Sequence, residues 1–258
     1  MTQAVPQIAE FLAPPSWRTV DFISDLHLHA SEAATFEAWQ NYMQTTPADA
    51  VFILGDLFEV WVGDDAVGSA YPGFEDQCAQ TLAQTGQRIP VFFMHGNRDF
   101  LVGQDMMTRS QTVLLEDPTT LIFRHQRWLL SHGDALCLGD VDYMRFRKEV
   151  RSAKWQQDFL GKPLAERQAI AAALRTQSEA RKQTGMVYAD VDAERARSWL
   201  QAANAPVMIH GHTHKPAAHD LGDGLGRVVL SDWDLAAQPP RAEILRLSAS
   251  GLQRLALP

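Results

Sequence analysis

Seven side chains that commonly bind metal ions occur in short motifs spread along the chain. The motifs are Asp25-Leu26-His27, Gly55-Asp56, Gly96-Asn97-Arg98-Asp99, Ser131-His132-Gly133-Asp134 and Gly211-His212-Thr213-His214. Carboxylates that a fold brings close together repel one another and resist ionisation, and a divalent cation removes this penalty. The motifs therefore predict a metal centre, and its candidate ligands are Asp25, His27, Asp56, Asn97, His132, His212 and His214.

The candidate ligands offer oxygen and imidazole donors but no thiolate. Such a set suits Mn²⁺, Fe²⁺, Co²⁺ or Zn²⁺ better than Mg²⁺ or Ca²⁺, which prefer shells of oxygen alone. Seven candidates exceed what one metal ion needs, and they suit two ions about 3.5–4 Å apart that share a carboxylate. A pair of this kind lowers the pKa of a shared water and binds both oxygens of an in-line displacement at phosphorus. The pattern therefore indicates metal-dependent chemistry at phosphorus.

Each motif follows a short apolar run that is typical of a buried strand. The runs are 19–23, 50–54, 91–94, 128–130 and 207–209. Strand ends and the loops after them are where α/β proteins build their sites. An extended backbone also points both side chains of an Asp-x-His or His-x-His pair to the same side. We therefore expect five strands to deliver the candidate ligands to one edge of the core.

The rest of the chain predicts an α/β layered core with mixed sheets. The further predicted elements are helices at 31–46 and about 74–85, a hairpin at 121–123 and 128–131, and tail strands around 226–231, 242–247 and 252–257. We expect Ser31 to cap the first helix and Gly86 to stop the second. Residues 1–17 contain three prolines and are expected to form a loose leader that is a candidate for disorder.

Residues 140–200 have no strand pattern and are predicted to form a helical cap, inserted into a core made of 18–139 and 201–258. Between Tyr143 and Lys182, ten Lys and Arg against four Asp and Glu give a net charge of +6, which leaves −14 for the rest of the chain. The segment also carries large apolar residues. This composition suits an anionic amphiphile or an anionic membrane surface. The alternative is a solvated helical layer that packs its apolar face on the core.

Composition and charge exclude several classes of protein. The net charge of −8 argues against a general nucleic-acid binder. Two cysteines, Cys78 and Cys137, are too few for a disulfide framework and favour the reducing cytoplasm. No signal peptide is expected, and no apolar run reaches the roughly 20 residues needed to cross a bilayer. Peripheral contact with a membrane stays open.

The five motifs resemble those of the calcineurin-like metallophosphoesterase superfamily, in the same order and spacing over about 20–214. The resemblance implies a four-layer α/β/β/α sandwich with a dinuclear site. It also implies two ligand sets that share Asp56 as a bridge: Asp25, His27, Asp56 and His214 for one ion, and Asp56, Asn97, His132 and His212 for the other.

Within the superfamily, the chain looks like a member of the UDP-2,3-diacylglucosamine hydrolases. The matching stretches are Gly-Asn-Arg98-Asp-Phe, Gly-Asp-Leu-Phe-Glu followed by Trp61-Val-Gly-Asp-Asp, and Ile209-His-Gly-His-Thr-His-Lys-Pro. The resemblance implies cleavage of a pyrophosphate to UMP and 2,3-diacylglucosamine 1-phosphate in lipid A biosynthesis, with two Mn²⁺ ions. It places the enzyme in the cytoplasm of a Gram-negative cell, on the inner face of the inner membrane. Its implied partners are the acylated UDP-sugar and the membrane, with no nucleic acid, and a monomer is expected.

The same resemblance implies catalytic roles for Asn97, Arg98 and His212. It implies substrate contacts for Asn97, Arg98, Asp140, Ser178, Arg181, Lys182 and His212. We expect the Arg98 guanidinium to bind the pyrophosphate through two parallel hydrogen bonds, rather than to form a surface ion pair with Asp99. Asp99 and Asp134 are expected to orient ligands without binding metal.

Two alternatives remain at this stage. Another enzyme of the superfamily, such as a nucleotide phosphodiesterase or a nuclease, would have the same motifs, although a nuclease favours a basic groove. A non-catalytic scaffold with this fold would be expected to lose ligands, and none is missing here. The histidines without a motif role, which are His29, His95, His125, His210 and His219, are assigned to packing or to the surface. Trp61, Trp155 and Phe159 are expected in the core, with an acyl groove as the alternative.

Overall fold

The computed structural model describes residues 4–68, 72–183 and 189–257, with side chains except at 175 and 177–183. The strands are β1 (Ala9–Leu12), β2 (Val20–Ile23), β3 (Ala50–Leu54), β4 (Val91–Met94), β5 (Thr112–Leu115), β6 (Thr119–Phe123), β7 (Gln126–Ser131), β8 (Val207–His210), β9 (Ala217–Gly222), β10 (Leu225–Val229), β11 (Glu243–Ser248) and β12 (Gly251–Ala256). The helices are α1 (Ala33–Thr45), α2 (Phe74–Gly86), α3 (Gln104–Ser110), α4 (Val141–Val150), α5 (Ala153–Leu160), α6 (Leu164–Gln183) and α7 (Ala193–Ala203).

Two six-stranded sheets form the centre of the fold. The first sheet has the order β1-β6-β7-β8-β10-β9, and the second has the order β12-β11-β2-β3-β4-β5. Alternate residues of β3 show how the layers stack, because Phe52 packs between the sheets whereas Val51 and Ile53 pack toward α1 and α2. On the far side, Met208 of β8 packs against α7. The predicted four-layer α/β/β/α sandwich is confirmed.

Parallel pairing places the chemistry at one edge. β2, β3, β4 and β5 run parallel, and in the other sheet β7 runs parallel to β8. The carboxyl ends of parallel strands meet at the same edge of a sheet. Asp25, Asp56 and Asn97 follow β2, β3 and β4, while His132 and His212 follow β7 and β8. Strands buried on both faces also explain why these runs are mostly apolar, and the exception, the buried Asp21 of β2, is paired with Arg246.

The expectation of a loose leader at 1–17 is corrected by β1. This strand pairs in parallel with β6, from Ala9 opposite Thr119 to Leu12 opposite Ile122. The Phe11 ring packs 4.7 Å from that of Phe92. A four-residue edge strand whose partner lies about 110 residues away leaves almost no local signal in the sequence.

Two other details of the predicted elements are corrected. The first helix begins at Ala33, and Ser31 does not cap it, because the Ser31 hydroxyl lies 2.8 Å from Nδ1 of His29. The strands β5 and β9 and the helix α3 were not predicted. The hairpin of β6 and β7 and the tail strands β10, β11 and β12 are confirmed.

The segment predicted as a cap divides into two parts. Helices α4, α5 and α6 lie in it as expected, but α7 packs Trp199 and Leu200 on the outer face of the first sheet. The last part of 140–200 therefore belongs to the layered core, because α7 supplies the helix that covers β8. Among the described residues, no helix is both long and apolar enough to span a membrane.

Candidate metal centre

Sharp turns at the strand ends direct the candidate ligands toward a common centre. Five of the seven have positive φ angles between 48° and 67°, and they are Asp25, His27, Asp56, His212 and His214. Residues other than glycine are uncommon in this left-handed region of backbone angles, and the strain of each one is about 1–3 kcal/mol. Strain of this kind persists only where the surroundings impose it, and it clusters at functional sites. The backbone is thus shaped to bring these side chains together.

The first group of donors comprises Asp25, His27 and His214. The Nε2 atoms of His27 and His214 lie 3.3 Å apart, and Nε2 of His214 lies 3.3 Å from Oδ1 of Asp25. One ligand atom from each of the three falls within 4.8 Å of the others. The donors face one another as they would around a shared cation.

The second group comprises Asn97, His132 and His212. Oδ1 of Asn97 lies 3.0 Å from Nε2 of His132 and 2.7 Å from Nδ1 of His212. Asp25 and Asp56 also offer atoms within 4.8 Å of His132, so the two groups adjoin.

The carboxylate of Asp56 lies between the groups. Its Oδ2 lies 4.0 Å from Nε2 of His27, and its Oδ1 lies 3.8 Å from Nε2 of His132. The side chain is buried, and its Oδ1 accepts a hydrogen bond from the Arg98 backbone N–H at 2.8 Å. No side chain larger than hydrogen fits at Gly96, because its Cβ would clash with the Asp56 carboxylate. This position is the one that a bridging ligand requires.

An acceptor group faces Nδ1 in three of the histidine rings, and at His132 a hydrogen bond fixes the ring. Nδ1 of His132 lies 2.9 Å from the Leu54 carbonyl, which can only accept, so Nδ1 carries a proton and Nε2 faces the site. Nδ1 of His27 lies 3.2 Å from Glu59, and Nδ1 of His214 lies 3.7 Å from Asp232. In all three rings Nε2 is left for the centre. This pattern fits imidazole ligands of a transition metal.

Asp99 organises the backbone beneath the site. Its carboxylate accepts hydrogen bonds from the backbone N–H groups of Gly96 at 2.8 Å and Leu57 at 2.7 Å. Burial and the nearby Asp56 carboxylate raise the pKa of Asp99 to about 7. Asp99 therefore supports the loops after β3 and β4, in the orienting role expected for it.

The electrostatics of the centre favour positive charge. Burial alone would lower the pKa of His132, but the carboxylates of Asp56 and Asp25 raise it to about 9. Burial would raise the pKa of Asp25, yet its hydrogen bond to His214 holds the pKa well below the usual range. The residues present therefore fit divalent cations in both charge and donor type.

Comparison with known proteins agrees with this geometry. The family model of the calcineurin-like phosphoesterases matches residues 18–216. A UDP-2,3-diacylglucosamine hydrolase of Chromobacterium violaceum is 43% identical over 92% of this chain and 98% of its own. Relatives of the same name from Ralstonia nicotianae and Bordetella pertussis are 41% and 40% identical, over 88% and 94% of this chain and 88% and 95% of theirs. This chain belongs to the UDP-2,3-diacylglucosamine hydrolase family. Among solved structures, an archaeal phosphodiesterase aligns with 93% of this chain and 99% of its own, at 11% identity and a TM-score of 0.46.

In this member of the UDP-2,3-diacylglucosamine hydrolase family, the substrate-contact residues predicted from the sequence are spread over the core and the cap. Arg98 pairs with Glu59 at 3.5 Å, and Asp99 is occupied by backbone groups. Asp140 caps α4 by accepting the Tyr143 N–H at 3.0 Å. The substrate-contact candidates Ser178, Arg181 and Lys182 lie on α6, and their side chains are outside the described part.

Sequence reasoning missed the residues that join α4 to the core. The buried Asp134 carboxylate accepts hydrogen bonds from the Tyr143 hydroxyl at 2.6 Å and from Arg147 at 2.7 and 3.2 Å, and it lies 3.5 Å from Arg151. These charges hold the pKa of Asp134 well below its usual range despite burial. Asp134 therefore binds side chains of α4 and the residue after it, and it does not have the ligand-orienting role expected for it. The spacing of four between Arg147 and Arg151 was the available signal, since such residues share one helix face.

Aromatic residues of the cap pack on the core. Trp61 and Phe159 are buried in the cluster beneath α5, and the half-buried Trp155 ring stacks on Phe159 at 4.7 Å. These positions favour the packing interpretation over an acyl groove for Trp61 and Phe159. A narrow cleft between α4 and the metal centre is lined by residues that include Asn97, Phe100, Tyr143, Phe146, Arg147 and Arg151.

Proposed function

We propose that this protein hydrolyses the pyrophosphate bond of UDP-2,3-diacylglucosamine, giving UMP and 2,3-diacylglucosamine 1-phosphate for lipid A biosynthesis. Membership in the family supports the substrate. The observation that carries the reaction is the Asp56 carboxylate between two groups of oxygen and imidazole donors, with Oδ2 toward His27 and Oδ1 toward His132. A phosphoanhydride suits such a centre, because the attacked phosphoryl group and the leaving group both carry negative charge on oxygen atoms that divalent cations would stabilise.

Two divalent cations, proposed to be Mn²⁺, would be held by the two adjoining donor groups. The proposed ligands are Asp25, His27, Asp56 and His214 for one ion, and Asp56, Asn97, His132 and His212 for the other. When bound, such ions lower the pKa of a water and offset the charge of the phosphate oxygens.

Three residues of the core are proposed to act on the substrate. Asn97 and His212 face the same point of the centre and would orient the phosphoryl oxygens. Arg98 is a fifth exposed and is steadied by Glu59, so its guanidinium can reach the diphosphate with two parallel N–H groups. Together they would align the scissile bond without a covalent intermediate.

The cap is proposed to bind the rest of the substrate. Asp140, Ser178, Arg181 and Lys182 are the proposed contacts to the uridine diphosphate. Phe146 lines the cleft beneath α4 and is partly exposed, and Val141 of the same helix is also exposed, so these apolar residues suit acyl chains or a membrane surface. We propose that a monomer acts from the cytoplasm at the inner face of the inner membrane.

The proposal is tested by assaying metal-free protein with UDP-2,3-diacylglucosamine while Mn²⁺ is added. We expect UMP release to depend on Mn²⁺ and to saturate. Equal turnover of simple nucleotide diesters would favour a phosphodiesterase instead, and a metal-loaded protein with no phosphoesterase activity would indicate a scaffold.

Hydrolysis in ¹⁸O-labelled water identifies the phosphorus that is attacked. We expect the label in UMP, since the sugar 1-phosphate is proposed to be the leaving group. Label in the lipid product would place the attack on the other phosphorus and would require the substrate to bind in the reverse orientation.

A further inference from the structure

A chain of three hydrogen-bonded side chains lies behind the loop that carries His212 and His214, and it runs from the exposed Asp190 inward to the buried Arg227 and His210. The Asp190 carboxylate accepts a hydrogen bond from the Arg227 guanidinium at 2.9 Å. Another nitrogen of Arg227 lies 3.2 Å from Nε2 of His210. His210 has no exposed surface and Arg227 is 6% exposed. We infer that His210, Arg227 and Asp190 are positioning residues for the metal centre, an inference that rests on the metal-dependent function proposed above.

The hydrogen bonds fix the proton on the His210 ring. A guanidinium can only donate, so Nε2 of His210 must accept the hydrogen bond from Arg227. The ring is therefore neutral and carries its proton on Nδ1. That nitrogen lies 2.9 Å from the Gly211 carbonyl, to which it donates. Arg227 thus selects the one form of His210 that can bind this carbonyl.

The Gly211 carbonyl is the point on which the following turn closes. It also accepts the Thr213 backbone N–H at 2.8 Å, so it receives two donors. The turn between them contains His212, whose φ of 67° is strained for a histidine. The His212 N–H in turn donates to Asp25 at 2.9 Å. The three side chains therefore hold a strained turn that carries His212, of the second donor group, and that leads directly to His214, of the first.

The position of the three residues explains why they do not contact substrate. Met208 and His210 share the outer face of β8, the face that α7 covers, and Arg227 lies on the adjacent β10. Asp190 precedes α7, where the chain returns from the cap. They act on the centre only through the Gly211 carbonyl, so they position ligands and are not catalytic.

The test measures Mn²⁺ affinity by calorimetry on metal-free protein, with Mn²⁺ electron paramagnetic resonance as a second readout. Partners behind metal ligands typically affect affinity or activity 10- to 100-fold. We expect His210→Leu and Arg227→Met to weaken Mn²⁺ binding by about this factor and to lower kcat, with KM unchanged at saturating metal. His210→Asn keeps an N–H donor at the δ position and should recover most of the affinity that His210→Leu loses.

A matched control separates positioning from general stability. Arg246 pairs with the buried Asp21 at 2.7 and 2.8 Å, between β11 and β2. Arg246→Met should lower the melting temperature as Arg227→Met does, but leave Mn²⁺ affinity at the wild-type value. Equal affinities in His210→Leu, His210→Asn and wild type would overturn the inference. If wild type bound Mn²⁺ but did not cleave the acylated UDP-sugar, the proposed function would fail, while an affinity loss restored by His210→Asn would still support the positioning role.

Discussion

The metal centre and the cap are held in place by different kinds of interaction. At the centre, backbone N–H groups converge on Asp99, and five strained residues present their side chains from the ends of strands. The cap is attached through apolar packing on the core and through ion pairs, with Arg147 and Arg151 on Asp134, and Arg167 on Asp65 and the Val62 carbonyl. The metal centre is therefore shaped by the backbone, whereas the position of the cap depends on side-chain contacts.

The same contrast changes how the positive charge of the cap is understood. Among the seven basic residues of the cap whose side chains the structure describes, six are paired with carboxylates, and they are Arg145, Arg147, Arg151, Lys154, Lys162 and Arg167. Arg167 is 2% exposed, so its charge is used in contacts with Asp65 and the Val62 carbonyl and is not presented to a ligand. In the described part of the cap, most of the positive charge is therefore used in ion pairs within the protein, and the side chains of the proposed diphosphate contacts Arg181 and Lys182 lie outside that part.

The largest effect is expected from the centre. Asp56→Ala removes the carboxylate between the two donor groups, so we expect turnover to fall by roughly 10³-fold or more, beyond the 10- to 100-fold typical of outer partners. Metal content measured on the purified variant should fall as well. His29→Ala, two residues from His27 but hydrogen-bonded to Ser31, is the control and should keep near wild-type turnover. Equal behaviour of the two variants would refute the ligand assignment.

A smaller effect is expected where the cap joins the core. Arg147→Met removes the bidentate partner of Asp134, and we expect the free energy of unfolding to fall by about 2–3 kcal/mol. This is less than for a fully buried pair because Arg147 is 22% exposed. KM for the acylated substrate should rise roughly tenfold, with Mn²⁺ affinity unchanged. Arg145→Met, on the same helix but 78% exposed, is the matched control and should change neither quantity. A loss of Mn²⁺ affinity in Arg147→Met would show that the two regions are not separate.

A substitution at Arg98 tests a residue of the core that is proposed to contact the substrate beside the metal centre. Lysine keeps the charge but cannot form two parallel hydrogen bonds, so Arg98→Lys should lower kcat/KM by about tenfold. Steady-state kinetics on the acylated UDP-sugar measure this effect, and Arg18→Lys at an exposed position provides the control. If kcat/KM is unchanged, Arg98 acts as a point charge.

The smallest effect on chemistry is expected from the cap aromatics. Phe159 is buried, and Phe159→Ala should lower the free energy of unfolding by about 3–5 kcal/mol. Trp155 is only half buried, so Trp155→Ala should cost less stability. Turnover of a small phosphodiester, measured below the unfolding temperature, should stay near wild type in both. A raised KM for the acylated substrate in Phe159→Ala without lost stability would restore the groove interpretation.

The central strands of the two sheets could be predicted from the sequence, but the edge strands β1 and β9 could not. The strands β2, β3, β4 and β8 are buried on both faces, so their apolar runs were visible locally. The strand β9 alternates between half-buried and exposed residues, and β1 pairs with a distant strand, so neither had a clear local pattern. Ser31 illustrates a similar limit, since a nearby histidine competed for its hydroxyl.

The candidate site was predictable as a set of residues but not as a network. Motif spacing was enough to name the seven donors, because each follows a strand. The contacts of Asp232 with His214 and of Arg227 with His210 join positions 18 and 17 residues apart, and no spacing rule indicates them. The sequence predicts packing or a surface position for His210, and the structure buries it completely but also gives it polar partners. Its partners become visible only when β8 and β10 lie side by side.

The insertion point of the cap has a consequence for how such enzymes diversify. The strands β7 and β8 are parallel neighbours, so the chain between them must cross over the sheet, and α7 alone is enough to make that crossing. Helices α4, α5 and α6 are additional chain within an obligatory connection. Their loss or exchange leaves the strand order untouched, and domain insertions are tolerated at such places. Evolution can therefore change the cap, which is proposed to bind the substrate, without changing the strand ends that carry the metal centre.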